Sequence, residues 1–196
     1  MEFFNALQFI IILIWLGWKI GIFYKQKRRH HAYSNNKRIR FLSDTTRQRR
    51  DLFHDVVYDI NSIVSWCLLN NYPTNEISKR LEYNWKHVQM YETNFRDQVA
   101  YVVDKNRSFY LCGSTPTGNT EDANTMQFVV LHELAHMMSE SYGHNDEFLT
   151  NFRKILSVAV KLNIYKPVNY SKYPVKYCGT SITQSPCDSN SCNILN

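Results

Sequence analysis

Apolar positions in the central part of the chain recur every three or four residues, the spacing of one face of an α-helix. From Thr45 to Asn70 they form one broad stripe, and residues 75–91 repeat the pattern. The Asn-Asn-Tyr-Pro segment at 70–73 separates the two stretches and is typical of a helix end. The sequence therefore predicts two amphipathic helices.

The pattern changes after residue 91. Residues 98–103 and 108–112 are rich in Val, Tyr and Phe, which favour extended structure. The polar Asp-Lys-Asn-Arg at 104–107 lies between them and is typical of a turn. We therefore expect a β-hairpin in this part of the chain.

Helical spacing returns after a predicted loop at residues 113–120. One helix is predicted from a cap at Thr120 to about Ser141, with two acidic residues in its first turn. Another is predicted from about Asn145 to Asn163. The polar residues 31–44 indicate a linker, and the chain from Tyr165 onwards has little pattern.

Residues 3–24 are apolar on nearly every helical face and contain one charge, Lys19. These 22 residues are about the length that an α-helix needs to cross a bilayer. No basic stretch precedes them and no small-residue cleavage site follows, so a removable signal peptide fits poorly. We expect a transmembrane anchor; the alternative is a buried N-terminal helix.

The charge of the chain is concentrated next to this segment. There are 23 lysines and arginines and 17 acidic residues, for a net charge of +6. Ten of the basic residues and only one acid, Asp44, lie within residues 25–50, so the rest of the chain is slightly acidic. A basic flank predicts a body on the cytosolic side or in the virion interior, where cysteines stay reduced.

Three interpretations of the basic segment 25–50 stay open. Its side chains could lie on anionic lipid head groups, or the segment could be a solvated linker that only sets topology. Nucleic-acid binding is the weaker third alternative, because stacking aromatic residues at regular spacing are missing. With only 6 glycines and no glycine-rich run, the sequence excludes a phosphate-binding P-loop.

Residues 132–136, His-Glu-Leu-Ala-His, contain the HExxH pattern within the third predicted helix. Side chains four residues apart share one helix face, so His132 and His136 can reach one metal ion. Catalytic zinc sites use three protein ligands and a water, and Glu133 is placed to take the proton of that water. The alternative is an amphipathic helix with two surface histidines. The apolar run 128–131 favours burial and therefore a metal.

His144 is the candidate third ligand. Gly143 can adopt the left-handed conformation that ends a helix, so the chain can double back and present His144 from outside. Phe148, four residues later, should pack this imidazole in place. Glu140 is the alternative ligand, four residues after His136, but it would have to reach along the helix. The expected cofactor is Zn²⁺.

The segment HELAH followed by GHNDEF resembles the zincin metallopeptidases of the SprT-like and WLM groups. The gap between His136 and His144 differs from that usual in WLM proteins and is shorter than is common in SprT-like proteins. With its apolar N-terminus and tyrosine-rich tail, the chain looks most like uncharacterised metallopeptidases of large DNA viruses. The resemblance covers about residues 98–180 and implies a zincin fold, with His132, His136 and His144 as zinc ligands and Glu133 as general base.

Together these observations predict an α+β fold in which helices pack on a small antiparallel or mixed sheet. The expected function is a membrane-anchored zinc metallopeptidase that hydrolyses protein or peptide substrates at a host or virion membrane. The alternatives are a catalytically idle zinc-binding membrane protein for assembly or tethering, and a protease that acts on DNA-bound proteins, as cellular relatives of the resembled groups do. The predicted regions are a transmembrane anchor (1–24), a basic juxtamembrane linker (25–44), a zincin-like domain (45–180) and a flexible tail (181–196).

Two aspects of catalysis stay open at this level. Residues 108–112 could be a sheet edge to which a peptide adds as a strand, or an ordinary covered strand. A transition-state oxyanion needs a donor besides zinc. The candidates are Tyr142, Tyr170, Tyr173 and Tyr177.

The cysteines divide into two groups. Cys67 and Cys112 lie in apolar patterns and are expected to be core residues. Cys178, Cys187 and Cys192 lie in the tail and are expected to be free thiols, or to form a disulfide if the topology is inverted.

Overall fold

The structure, a computed structural model, describes residues 39–96 and 99–187. The predicted anchor at 3–24, most of the basic segment and Cys192 lie outside these residues. No helix in the described part of the chain is long and apolar enough to cross a membrane. The membrane anchor therefore stays a prediction.

The described residues form an α+β fold, as the apolar pattern predicts, with four helices, a mixed sheet and a separate hairpin. The elements in chain order are β1 (Ile39–Arg40), α1 (Arg47–Leu69), α2 (Asn75–His87), β2 (Gln89–Thr93), β3 (Ala100–Val103), β4 (Ser108–Cys112), α3 (Ala123–Met138), α4 (Asp146–Lys161), β5 (Val175–Tyr177) and β6 (Thr180–Ile182).

The larger sheet has the strand order β1-β2-β4-β3. Strands β1 and β4 both run parallel to β2, whereas β3 runs antiparallel to β4. The predicted hairpin is confirmed as β3 and β4. The interpretation of residues 108–112 as an edge is wrong, because β4 pairs on both sides; among the described residues β1 and β3 are the two edge strands of this sheet.

The first two helices are capped as their sequences allow. Thr46 accepts a hydrogen bond from the backbone N–H of Arg49, and Thr74 caps α2 in the same way. Helix α2 ends earlier than predicted, because residues 89–93 pair with β1 and β4 as strand β2. Strand β1, at Ile39–Arg40, lies within the segment that the sequence predicts to be a linker, so the sheet begins there.

The helices and the sheet share one hydrophobic core. Alternate residues of the two central strands point into it, and Met90, Phe109 and Leu111 have no exposed surface. Helix α1 contributes a complete buried stripe that includes Phe53 and Ile60. This alternation is the ordinary consequence of the two-residue period of a strand that is buried on one face.

A buried ion pair joins the start of α1 to the sheet. The Arg49 guanidinium lies 3.3 Å from the carboxylate of Glu92, whose side chain has no exposed surface. The same carboxylate accepts hydrogen bonds from the Thr45 hydroxyl and from the backbone N–H of Leu42. Arg49 is therefore occupied inside the fold and unavailable to a lipid or nucleic-acid partner of the basic segment.

The opposite face of the sheet carries a row of stacked rings. Tyr91, Tyr110 and Tyr101 are register neighbours on β2, β4 and β3. Their ring centroids lie 4.9 and 4.5 Å apart, with interplanar angles of 15° and 12°. The Arg40 guanidinium lies 5.7 Å from the Tyr91 ring centroid. Cross-strand stacking of this kind strengthens a sheet and here ties its edge strand to the interior.

The tail after α4 is ordered by a hairpin and a disulfide. Cys178 and Gly179 form the turn between β5 and β6, with φ of 47° and 80°, as two-residue hairpins require. Cys178 is bonded to Cys112 at the end of β4. The expectation of a free thiol at Cys178 is wrong, and Cys67 is the one free cysteine in the described residues. Disulfides are rare in reducing compartments, so this pair does not fit a cytosolic body.

Candidate metal centre

Helix α3 carries the HExxH residues. Its N-cap is Asp122 rather than the predicted Thr120, and the Asp122 carboxylate accepts a hydrogen bond of 2.8 Å from the backbone N–H of Thr125. Most of the helix is buried, and the half-buried His132 and His136 point to a common opening. The apolar run before the motif explains this burial, because residues 128–131 pack into the core on several sides.

The structure brings all three predicted ligands together. His132, His136 and His144 each offer one ring nitrogen, and these nitrogens lie within 4.8 Å of one another. The Nε2 atoms of His132 and His144 are 3.0 Å apart. The three ring centroids form a nearly equilateral triangle with sides of 4.8 to 5.0 Å. Three imidazoles in this arrangement could hold one metal ion.

A phenylalanine from α4 supports the triangle. The Phe148 ring centroid lies 4.8 Å from that of His132, 4.3 Å from His136 and 4.7 Å from His144. The prediction that Phe148 packs against His144 is therefore confirmed, and the contact extends to the other two imidazoles. Because Phe148 is itself fully buried, it limits the positions that the three rings can take.

The environment keeps the helix histidines neutral. Burial lowers the pKa of His132 to about 3, with smaller contributions from His136 and His144. Burial also lowers the pKa of His136 to about 4, with help from His144 and the positive charge of Lys105. Neutral imidazole is the form that coordinates a metal, so the protons that would compete with a metal are already excluded near neutral pH.

Glu133 is the buried acid of the site. Only 6% of its surface is exposed. Burial raises its pKa to about 8, although a hydrogen bond from the backbone N–H of Val102 opposes this shift. The bond joins the carboxyl group to the edge strand β3. A carboxyl group whose pKa lies near neutrality can both take up and release a proton there.

The carbonyl groups at the end of α3 are held by side chains from other elements. The Lys105 ammonium, in the β3–β4 turn, donates to the carbonyl oxygens of residues 139, 140 and 141 at 2.6, 2.6 and 2.8 Å. Arg80 and Asn84 of α2 donate to the carbonyl oxygens of Met138 and Met137 at 2.9 and 2.8 Å. These bonds satisfy helix-end carbonyls that would otherwise lack partners, and they fix where the chain leaves the helix.

The short connection to α4 is held from the other side as well. The Glu147 carboxylate accepts hydrogen bonds from the backbone N–H groups of Glu140 and Ser141 at 2.7 and 3.0 Å. Gly143 has φ of 85°, the left-handed conformation expected for it, and Asn145 caps α4. The turn therefore returns His144 to the helix face without a flexible segment.

Glu140, the alternative ligand, lies elsewhere. It follows the end of α3, is mostly exposed and forms an ion pair with Arg80. The metal-binding group in the described residues consists of the three histidines and does not include it. Helix α3 ends earlier than predicted, so the i, i+4 relation to His136 is lost.

Sequence reasoning did not identify Lys105, Arg80 or Glu147 as parts of the site. Glu147 lies in the first turn of α4, where acidic residues are common, but its bonds to the preceding loop follow from the tertiary structure. Lys105 and Arg80 belong to a turn and a helix that precede the motif by some 30 and 55 residues along the chain. Neither has a local sequence signal.

A cleft of about 300 Å³ opens over the histidines. Strand β3 forms one side of it. The carbonyls of Val99 and Val103 accept hydrogen bonds from β4 and its turn, so the backbone groups of Ala100 and Val102 face away from β4, towards the site. Among the tyrosines considered as oxyanion donors, Tyr142 lines this cleft. Tyr170 and Tyr177 are fully buried, and the Tyr177 hydroxyl donates to the carbonyl of Cys112.

The chain is similar to three viral proteins, and no family model or solved structure matches it. It is 33% identical over 129 residues to the uncharacterized protein R325 of Acanthamoeba polyphaga mimivirus. The matched region covers 60% of this chain and 65% of that protein. It is 38% identical over 72 residues to the uncharacterized protein 042R of Invertebrate iridescent virus 3 (36% and 45% of the two chains). The match to the uncharacterized protein 136R of Invertebrate iridescent virus 6 is 31% over 68 residues (34% and 38%). The chain thus spans less than two thirds of each relative, and all three fit a viral origin.

The metal-free protein should be most stable slightly below neutral pH. Between about pH 8 and 6.5, acidification should stabilise it, because folded Glu133 takes up a proton that the unfolded chain does not bind. Below about pH 6.5 the unfolded chain protonates His132 and His136 while the folded chain does not, so stability should fall towards pH 4. Urea unfolding across this range measures the effect. In Glu133→Gln, the gain in stability between about pH 8 and 6.5 should disappear, whereas the loss of stability below about pH 6.5 should stay. An equal gain in wild type and variant would contradict the raised pKa of Glu133.

Lys105→Met should weaken metal binding although Lys105 is no ligand. Without the ammonium group, three carbonyls lose their donor and the segment that carries His144 is less well defined. We expect zinc affinity to fall about 10- to 100-fold, the usual effect of losing a residue that orients ligands. Competition with a chromophoric chelator measures it, and the exposed Lys79→Met is the matched control. Equal affinities would show that the segment is positioned without this lysine.

Proposed function

We propose that this chain is a zinc-dependent metallopeptidase of the SprT-like/WLM zincin type, with His132, His136 and His144 as zinc ligands and Glu133 as the general base. The observation that carries the proposal is the convergence of three imidazoles, with ligand nitrogens within 4.8 Å of one another, beside a buried glutamate of α3. This arrangement supports an HExxH hydrolase, which needs two ligands on one helix, a third ligand and a glutamate close together.

The donor set fits zinc. Ligand atoms around a tetrahedral zinc ion lie about 3.3 Å apart when each bond is about 2.0–2.1 Å. The Nε2 atoms of His132 and His144 are 3.0 Å apart, close to that spacing, whereas the spread of the three ligand nitrogens reaches 4.8 Å, so a bound ion would draw the rings closer together. When bound, zinc would polarise the scissile carbonyl and lower the pKa of a coordinated water. Three histidines leave a position for that water.

Glu133 then supplies the proton transfers. Its carboxyl group is buried beside His132 and is oriented by the backbone N–H of Val102. It takes the proton of the attacking water and passes it to the nitrogen of the leaving amine. A zinc site used only for assembly or tethering has no need of this acid. Burial of an ionisable group without a role would only reduce stability, so the catalytic proposal explains more of the site.

Strand β3 supports a peptide or protein as substrate. It is an edge strand of the sheet, and the backbone groups of Ala100 and the carbonyl of Val102 face the cleft that contains the histidines, while the Val102 N–H is bonded to Glu133. A peptide could therefore add as a further strand and place one of its carbonyls over the metal position. Main-chain hydrogen bonds to β3 would bind peptides of many different sequences, because every peptide offers the same backbone groups. Tyr142, which also lines the cleft, is the candidate oxyanion donor.

Metal analysis and a glutamate variant test the proposal. The chain purified without added metal should contain about one zinc, and His144→Ala should contain much less, because it removes one of three ligands. Glu133→Gln should keep the zinc but cleave peptides about 10²- to 10⁴-fold more slowly, because it removes the proton acceptor. Cleavage is read by mass spectrometry of a mixed peptide library. Unchanged turnover in Glu133→Gln would contradict the mechanism, and zinc without any turnover in wild type would favour the assembly or tethering alternative.

We also propose that residues 3–24 anchor the protein in a host or virion membrane. The basic flank favours a body in the cytosol or virion interior, whereas the Cys112–Cys178 disulfide favours an oxidising side. The full chain should stay with membranes after carbonate extraction, and deletion of 3–24 should release it. Protease digestion of sealed vesicles reports the side on which the body lies. Release of the intact chain by carbonate would rule out the anchor.

A further inference from the structure

A second opening adjoins the candidate metal centre. This cavity of about 420 Å³ shares Ala100, His132 and Glu133 with the cleft described above but extends in the other direction. The cleft reaches Lys105 and Tyr142 near the end of α3, whereas the cavity extends towards the preceding turn of the helix. The metal-binding face and the general base therefore stand between two openings.

The cavity is lined mainly by apolar side chains. The apolar lining residues are Phe128 and Val129 of α3, Phe152 of α4, Val99 just before β3, and Ile182 of β6. The polar lining residues, Thr180, Thr183 and Gln184, are exposed and mark the solvent side. Its volume and its apolar lining with a few polar groups are typical of ligand-binding pockets.

The position along β3 relates the cavity to a bound peptide. Val99 and Ala100 line the cavity, whereas Tyr101, Val102 and Lys105, further along the chain, line the cleft, which Ala100 also borders. A peptide paired with β3 would therefore pass over both openings, with the scissile bond between them. A residue on one side of that bond would direct its side chain into the cavity.

The outer wall of the cavity is the β5–β6 hairpin, and three contacts fasten its turn. Cys178 is bonded to Cys112 at the end of β4. The Cys178 backbone N–H donates to the Glu121 carboxylate at 2.8 Å. The hydroxyl of the fully buried Tyr177 donates to the carbonyl of Cys112. Strand β6 leaves this fastened turn and carries Thr180 and Ile182 to the mouth of the cavity.

We propose that this cavity is a substrate subsite that selects a large apolar side chain next to the scissile bond, and that the Cys112–Cys178 disulfide holds the wall that completes it. This inference rests on the proposed peptidase function. A leucine or phenylalanine side chain would replace water against Val129, Phe152 and Ile182, whereas an acidic one would lose its hydration there. Selectivity over alanine should be about ten- to a hundredfold, as for other apolar pockets.

The test profiles cleavage by the zinc-loaded full chain in detergent micelles. A library of peptides with randomised sequences is digested, and the residues that flank each cut are counted by mass spectrometry. We expect Leu, Ile, Met and Phe to be enriched at one flanking position. Ile182→Asp should reduce this enrichment at least tenfold. Ser181→Asp is the matched control, because Ser181 is exposed on the same strand and does not line the cavity.

Two further variants separate the subsite from general loss of structure. Val129→Phe fills the cavity from the helix and should shift the preference towards alanine and glycine, a gain that unfolding cannot produce. The Cys112→Ser/Cys178→Ser double variant should lose the apolar preference while its zinc content stays that of wild type. Retained preference in the double variant would overturn the role of the disulfide.

The outcomes distinguish this inference from the function on which it rests. Cleavage by wild type without apolar enrichment, or with enrichment that survives both Ile182→Asp and Val129→Phe, overturns the subsite and leaves the peptidase standing. Absence of any cleavage by a zinc-loaded wild type overturns both. Enrichment that is lost in Ile182→Asp, kept in Ser181→Asp and inverted in Val129→Phe establishes the subsite.

Discussion

The candidate site depends on how the carbonyl end of helix α3 is held. An ammonium group from the β3–β4 turn and two side chains from α2 occupy the carbonyls of residues 137–141. Because these partners come from separate elements, they fix both the last turn of the helix and the direction in which the chain leaves it. The sharp return that brings His144 opposite His132 follows from this constraint, and the buried Phe148 ring then sets the distance between the imidazoles.

Burial lowers the pKa of the helix histidines and raises the pKa of the glutamate, because in each case it disfavours the charged form. It keeps His132 and His136 neutral and so ready to coordinate, and it keeps the Glu133 carboxyl protonated up to about pH 8 without metal. One apolar surrounding therefore acts on two candidate metal ligands and on the candidate general base together. A bound cation would lower the pKa of Glu133 and favour its deprotonated form, because positive charge stabilises the carboxylate.

The residues with chemistry could be found from the sequence because they are local. HExxH, the Gly143 turn, the Asn145 region and Phe148 lie within one short segment, and helical geometry alone relates them. Other features are not local. Strand β1 has two residues and β2 continues the apolar spacing of α2, so neither stands out from its surroundings. Three further features depend on segments that are far apart in the chain, and the sequence holds no periodic signal for them. They are the edge position of β3, the hydrogen bonds from Lys105 to the end of α3, and the pairing of Cys112 with Cys178.

The two kinds of cross-link differ in the length of chain that they enclose. The disulfide joins residues 66 positions apart, whereas the three histidines span only the segment from 132 to 144. Closing a short loop removes little freedom from an unfolded chain, and closing a long one removes more. The disulfide therefore restricts the denatured ensemble of the long segment from 112 to 178, while a metal ion held by the three histidines would restrict mainly one helix and its turn. Retention of the global fold and occupancy of the metal centre are, to that extent, separate properties of this protein.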